Sequence, residues 1–289
     1  MSARFGPAGN PDSFYREGYK SSLDMPRWLR EKGLSAYEYQ CSRGVNIGEE
    51  TARKLGELAA QNGIYLSIHA PYYINLAAAD PESREKTRKH LINSLVAARW
   101  MGAGVVVFHP GSGKDDRRGA MDRARRMLAE VAKQAGEEGM GDIFLAPETM
   151  GKRSLLGTLE EILDLCSVGD NIIPAVDFGH LHAASMGEFQ AKEMFAGVLD
   201  RIEAALGWGK LKRLHIHFSP VEFSAAGEKR HRTTRDEGFG PDFTYLAELL
   251  VERAAEFTLI CESDGLQAED ALVYKSIYEK AFLKFEDRG

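Results

Sequence analysis

The stretch NIIPAVDFGHLHA, residues 171–183, is an apolar run that stops abruptly at an acid and two histidines. Residues 172–176 are nearly all apolar and β-prone, as expected of a strand covered on both faces inside a parallel sheet. Asp177 then falls at the C-terminal end of that strand, with His180 three residues on and His182 two after that. A carboxylate and at least one imidazole could converge there on a cation, or on two adjacent ones. The plainer alternative is that Asp177 caps a following helix and the histidines are ordinary satisfied side chains. This stretch alone leaves the two readings even, and the flanking chain decides between them.

On both sides the same unit recurs. Upstream, strands are expected at 3–5, at 36–40, in IYLSIHAP ending at His69, in GVVVFHPGS ending at His109 and in IFLAPE ending at Glu148. Downstream they are expected in LKRLHIHFS, which carries His215 and His217, and in FTLICES, ending at Glu262. Helices are expected at 49–62, 82–101, 117–138, 158–166, 188–206 and 242–255; in the first, Leu55, Leu58 and Ala59 share a face and Gly63 marks the stop. The Gly/Pro-rich segment 6–11 and the polar segment CSRGVN, 41–46, read as loops. No linker, low-complexity tract or charge block divides the chain. Eight strands alternating with helices favour an α/β fold, a closed (β/α)8 TIM barrel forming one domain over 1–289, above an open doubly wound sheet.

Composition narrows the setting. A chain of 289 residues can bury one large core. It has neither an apolar run of about 18 residues nor a basic-then-apolar N-terminal segment, so a cytoplasmic protein without membrane contact is expected. Cys41, Cys166 and Cys261 are an odd, widely spaced set with no C-x-x-C pair, which argues against a disulfide framework and a cysteine zinc site. The formal charge of −6 would ordinarily argue against a polyanionic partner. Several of the acids in that sum are candidate metal ligands, however, and bound divalent cations would cancel the deficit where it matters. Net charge therefore does not exclude DNA.

In such barrels the active site lies at the mouth formed by the C-terminal strand ends. Here successive strands end in His69, His109, Glu148, Asp177, His215 and Glu262. One such residue is more often structural than functional, but the repetition at strand after strand is not coincidence. Imidazole and carboxylate are the donors that Zn²⁺, Mn²⁺ or Fe²⁺ accept. Strand alternation turns His215 and His217 to one face and turns Cys261 away from Glu262, so that cysteine is not expected to ligate. Glu148 stands between neighbours bearing histidine and neighbours bearing acids, the position for a carboxylate bridging two metals. Two metals about 3.5 to 4 Å apart can generate hydroxide at neutral pH and clamp both oxygens of an in-line phosphoryl displacement.

The segments IHAPYYINLA around His69, VFHPGS around His109, PET around Glu148, AVDFGH at Asp177 and His180, LHIHFS at His215 and CES at Glu262 resemble the endonuclease IV family of apurinic/apyrimidinic endonucleases, within the xylose-isomerase-like barrel superfamily. The resemblance covers most of the chain in order. It implies a three-metal (β/α)8 barrel in which His69, His109 and Glu148 hold one metal, and Glu148, Asp177, His215 and Glu262 a second. It also implies catalytic roles for Glu148 and Glu262. The family's third metal uses the counterpart of His180 and a later D-x-H pair, but this chain reads GEKRHRT: His231 matches, and Lys229 stands where the aspartate would be. Glu228, His217 or water would have to supply the missing donor, with His217 slightly favoured because it shares a strand face with His215. His182 has no counterpart and is expected to be structural.

Tyr72 matches a family position that wedges into the duplex to extrude the abasic sugar, and Arg43 is a looser candidate for a second wedge. Arg230, with Lys229, Arg232 and Arg235, could contact phosphates, although a charged loop is usually just a solvated one. HPGSGK lacks the spacing of a nucleotide P-loop. The resemblance implies a monomeric zinc enzyme, with two or three metals per chain, that incises duplex DNA 5′ to abasic sites and leaves a 3′-hydroxyl. Two rivals stand beside it. One is a single-metal sugar isomerase or epimerase using Glu148, Asp177, His215 and Glu262; the other is a non-catalytic barrel that binds metal or damaged DNA.

Overall fold

The structure is a computed structural model describing residues 3–114 and 116–287. Its strands are β1 (Ala3–Pro7), β2 (Ala36–Gln40), β3 (Tyr65–His69), β4 (Val105–Phe108), β5 (Phe144–Pro147), β6 (Ala175–Asp177), β7 (Arg213–Phe218), β8 (Val221–Ser224), β9 (Gly227–His231) and β10 (Glu256–Cys261). Two four-stranded parallel sheets run β2-β3-β4-β5 and β1-β10-β7-β6. Parallel bridges join them on both sides: Ala8 to Glu38 beside β1 and β2, and Leu145 to Ile172 and Glu148 to Ala175 between β5 and β6. These close the ring of eight strands. β8 and β9 stand apart as an antiparallel hairpin.

Strand alternation divides the core in two. On β4, Val106 and Phe108 pack outward into the large cluster shared with the surrounding helices. Val105 and Val107 turn inward, where they meet Ala146, Ile173 and Ala175. With Ala8, Ala36 and Ile260, these fill the barrel interior with small and branched side chains. Gly6 permits the close approach of β1 and β2: a Cβ there would sit 1.8 Å from the Ala36 carbonyl oxygen.

Each expected strand and helix forms, with shifted ends. The strand expected at 172–176 is confined to Ala175–Asp177, with Ile172 in an isolated bridge; β1 runs on through Gly6 and Pro7, expected as loop; the helix expected from 188 begins at Lys192, and that expected from 242 covers Phe243–Glu252. Helices Met25–Lys32, Phe178–Ala184 and Gln267–Glu286 add to the set. The segment GEKRH, expected as a charged loop, is strand β9. No helix among the described residues is long and apolar enough to cross a membrane.

Candidate metal centre

The strand-end residues meet at the C-terminal mouth, in three sets whose ligand atoms all lie within 4.8 Å of one another: His69, His109 and Glu148; Glu148, Asp177, His217 and Glu262; and Asp177, His180 and His231. Glu148, fully buried at the end of β5, joins the first two sets with different oxygens. Its Oε2 lies 3.2 Å from Nε2 of both His69 and His109, and its Oε1 lies 3.2 Å from His217 Nδ1 and 3.3 Å from His180 Nδ1. Glu262 spans the other side, 3.5 Å from both His217 Nδ1 and His231 Nε2.

The histidines are aimed by what their other nitrogens touch. His69 Nδ1 lies 2.9 Å from the Ala70 carbonyl and His231 Nδ1 2.6 Å from Ser219 Oγ, whereas His180 Nδ1 is shared between the Thr149 carbonyl at 2.9 Å and Glu148 Oε1, with its Nε2 toward Glu228. Such contacts orient a ring and leave its far nitrogen to the centre. Asp177 serves in two ways at once. Its Oδ1 accepts from His180 N at 2.7 Å, capping the helix Phe178–Ala184, whereas Oδ2 is buried without a hydrogen-bond partner among the described residues. The cap reading and the ligand reading of residues 171–183 are thus compatible. An orphaned buried carboxylate oxygen among imidazoles is unusual, and a divalent cation of the Zn²⁺, Mn²⁺ or Fe²⁺ type fits this donor set.

Electrostatics follow from packing acids and imidazoles together out of water. Burial opposes charge on His69, yet its contacts with Glu148 and the neighbouring carboxylates raise its pKa to about 9. The same opposition leaves His180 and His217 well above the usual histidine range. Burial works to raise Glu148 and Glu262, but the facing histidines hold both low. Asp177 goes the other way. Burial raises it and the charges of Glu262 and Glu148 add to that, outweighing His180 and His231.

Two expectations for β7 need correction. His217, not His215, completes the set with Glu148, Asp177 and Glu262. Both rings face the interior, but two residues of strand span about 6.6 Å, and only the one nearer the C-terminal end reaches the mouth. His215 sits deeper, its Nε2 2.8 Å from Glu38 Oε2. His217 is therefore not the extra donor at the third set. Glu228 stands there instead, its Oε2 3.4 Å from His180 Nε2 and its Oε1 3.9 Å from His231 Nε2. Lys229 points elsewhere and pairs with Glu222 at 3.4 Å.

Of the rim candidates, Tyr72 is 54% exposed. It lines the cavity over the centre, about 440 Å³, with His69, His109, Lys152, Glu228 and Glu262. Arg43 is exposed on its loop. Arg230 is held by Glu222 at 3.2 Å. His182 is buried edge-on to Phe223, beside a larger cavity of about 910 Å³ that contains none of the clustered ligands. Cys261 is buried, its Sγ 3.1 Å from Ser263 Oγ, and burial pushes its thiol up to about 12. The sequence reading missed Glu38. Its only local signal is a lone acid in the strand AYEYQ, on the face opposite Tyr37 and Tyr39.

A family model of xylose isomerase-like TIM barrels matches residues 26–277. An uncharacterised protein of Methanocaldococcus jannaschii is 32% identical over 95% of this chain and 97% of its own length. A probable endonuclease 4 of Thermotoga sp. strain RQ2 is 27% identical over 80% of this chain and 81% of its own. Among solved structures, endonuclease IV from Thermus thermophilus superposes with a TM-score of 0.70 at 22% identity, over 97% of this chain and 100% of its own. A D-tagatose 3-epimerase-like protein superposes with a TM-score of 0.73 at 20% identity, over 99% of each chain. At these identities the two superpositions establish the fold and do not choose between nucleic-acid and sugar chemistry.

Proposed function

Because the chain belongs to the xylose isomerase-like TIM barrel family and a fold alone does not set the chemistry, we propose from the groups at the barrel mouth that it is a metal-dependent phosphodiester hydrolase incising duplex DNA 5′ to abasic sites. The observation that carries this reading is the surplus of ligands. An epimerase with one metal needs only the set Glu148, Asp177, His217 and Glu262, whereas this mouth adds His69 and His109 on one side and His180 and His231 on the other. The probable endonuclease 4 relative supports the same direction.

In this reading His69, His109 and Glu148 would hold one zinc, and Glu148, Asp177, His217 and Glu262 a second. Asp177, His180 and His231, with Glu228, would hold a third. Bound there, the cations would lower the pKa of water and stabilise charge on the phosphate and leaving oxygens. Glu148, with one oxygen toward each histidine group, keeps the first two sets in register. Glu262, ionised and facing the mouth, is placed to orient an attacking water by accepting its proton in a hydrogen bond. Lys152 at the cavity edge supplies a positive charge for a phosphate. Tyr72, exposed directly after the strand bearing His69, offers an apolar face to a disrupted base stack. The whole chain acts as one domain, a cytoplasmic monomer.

The test is incision of a duplex carrying one abasic site, with and without chelator, beside metal analysis of the purified protein. Chelator-sensitive cutting with more than one metal per chain is the expected result. The epimerase-like neighbour and the set around His217 favour a second reading, a single-metal ketose epimerase. One metal per chain, with C3 epimerisation of a ketose and intact abasic DNA, would establish that instead.

A further inference from the structure

Glu38 lies at the middle of β2, fully buried beneath the mouth and outside the three ligand sets proposed above. Its Oε2 accepts from Ser67 Oγ at 2.9 Å and lies 2.8 Å from His215 Nε2. Its Oε1 lies 3.1 Å from His217 Nε2, at ion-pair distance though off the line of a well-formed hydrogen bond, and that nitrogen has no hydrogen-bond partner among the described residues. His217 therefore stands between two layers. Its Nδ1 faces Glu148 and Glu262 in the mouth, and its Nε2 faces Glu38 below. His69 and His180 lean on backbone carbonyls and His231 on a hydroxyl, so the carboxylate behind His217 is a different arrangement.

We propose that Glu38 is a positioning residue of the metal centre: it accepts a hydrogen bond from His217 Nε2–H and so, with a cation bound, holds that ring in the tautomer whose Nδ1 is free to ligate beside Glu148, Asp177 and Glu262. Ser67 and His215 form the clamp that keeps Glu38 in place. A buried carboxylate is costly unless it is well paired, and these donors supply the pairing. In return, an ionised acceptor behind a ligating imidazole fixes the ring and makes it a stronger donor. Glu38, His215 and His217 also lie close enough together to hold a cation themselves. The two donors already on Oε2 argue against that.

The inference rests on the metal-centre reading, and its test separates the two. Wild-type protein and Glu38→Gln are titrated with Zn²⁺ against a chromophoric chelator. If the wild type binds no divalent cation, the metal-centre reading fails before the variant is consulted. If it binds, Glu38→Gln should keep the same number of equivalents, with one of them about 10- to 100-fold weaker and its thermal unfolding still cooperative. Unchanged affinity for every equivalent would overturn the proposal. So would the clean loss of one equivalent with the others untouched, because Glu38 would then be a ligand. Should the variant fail to fold, the zinc-loaded wild type still decides the matter through its imidazole ¹⁵N shifts. His217 is expected to carry its proton on Nε2, and a proton on Nδ1 would rule out the assignment.

Discussion

At the scale of single residues, Glu148 does what no neighbour can replace, since each of its oxygens faces a different pair of histidines. Glu148→Gln offers one neutral carbonyl oxygen and an amide that would meet imidazole donors. It should lower metal content and reduce abasic-site incision by at least about 100-fold, the scale of losing one aimed electrostatic contact to a transition state, while circular dichroism stays native. Full metal and near wild-type cutting would refute the bridging role. The two β7 histidines provide a paired test. His217→Ala should lose metal, because Nδ1 belongs to the set with Glu148, Asp177 and Glu262. His215→Ala should keep metal stoichiometry and instead lose roughly 1–3 kcal/mol of stability, because Glu38 is left short of a buried donor. Denaturant melts and elemental analysis of both variants would expose a reversed assignment.

At the scale of elements, the β8–β9 hairpin is the part of the molecule that departs from a plain barrel, and it carries Glu228 and His231 over the mouth. Two glycines let it come so close. Gly227, at φ +105°, turns the hairpin against the 151–152 backbone, and Glu228 N donates to the Gly151 carbonyl at 3.2 Å. A Cβ on Gly151 would sit 2.6 Å from Glu228 Cβ and 3.2 Å from the His180 ring. The Glu228 Cβ cannot rotate away as a side-chain tip could. Gly151→Ala should therefore weaken the third metal equivalent selectively while the other two persist, and unchanged stoichiometry and affinity would remove Glu228 and His180 from a shared site. The loop after β3 makes a separate prediction. Tyr72 packs edge-on to Tyr73 yet stays 54% exposed, more than rim packing needs. Tyr72→Ala should weaken cutting of abasic duplex more than of a flexible single strand, since only the duplex requires a few kcal/mol of unstacking. Equal losses on both substrates would end the wedge assignment.

At the scale of the whole molecule, the barrel gathers acids from β2, β6 and the segments after β5 and β10 around histidines from β3, β7 and β9. The mouth is thus a charge-balanced cluster rather than a set of independent ligands. That balance has a sign that can be measured. A pKa raised to about 9 for His69, and held above the usual range for His180 and His217, means these rings carry protons at neutral pH. A cation must displace those protons to bind. Zinc addition at pH 7 should release protons, and apparent affinity should climb as pH rises toward about 9. Calorimetry in two buffers of different ionisation enthalpy would show this as a buffer-dependent heat, and identical heats would contradict it.

Much of this was legible in the sequence, because the signals are local. Runs such as VVVF and FTLIC need only their own apolar side chains to mark strands buried on both faces, and the residues that follow them name the mouth. The cap made by Asp177 Oδ1 on His180 N is likewise an i to i+3 contact that the chain order contains. Depth and closure are not local. Alternation puts His215 and His217 on one face, but which ring reaches Glu148 depends on the stagger that pairs Asp177 with His217 and Ala175 with His215. Glu38 lies far along the chain from both, and its burial exists only because the ring of strands closes through the bridge between Ala8 and Glu38. The hairpin left no apolar alternation to read, since Glu228, Lys229 and Arg230 pair by backbone and by charge rather than over a core. Those choices were made by the tertiary structure, because each depends on the distance between residues remote in sequence.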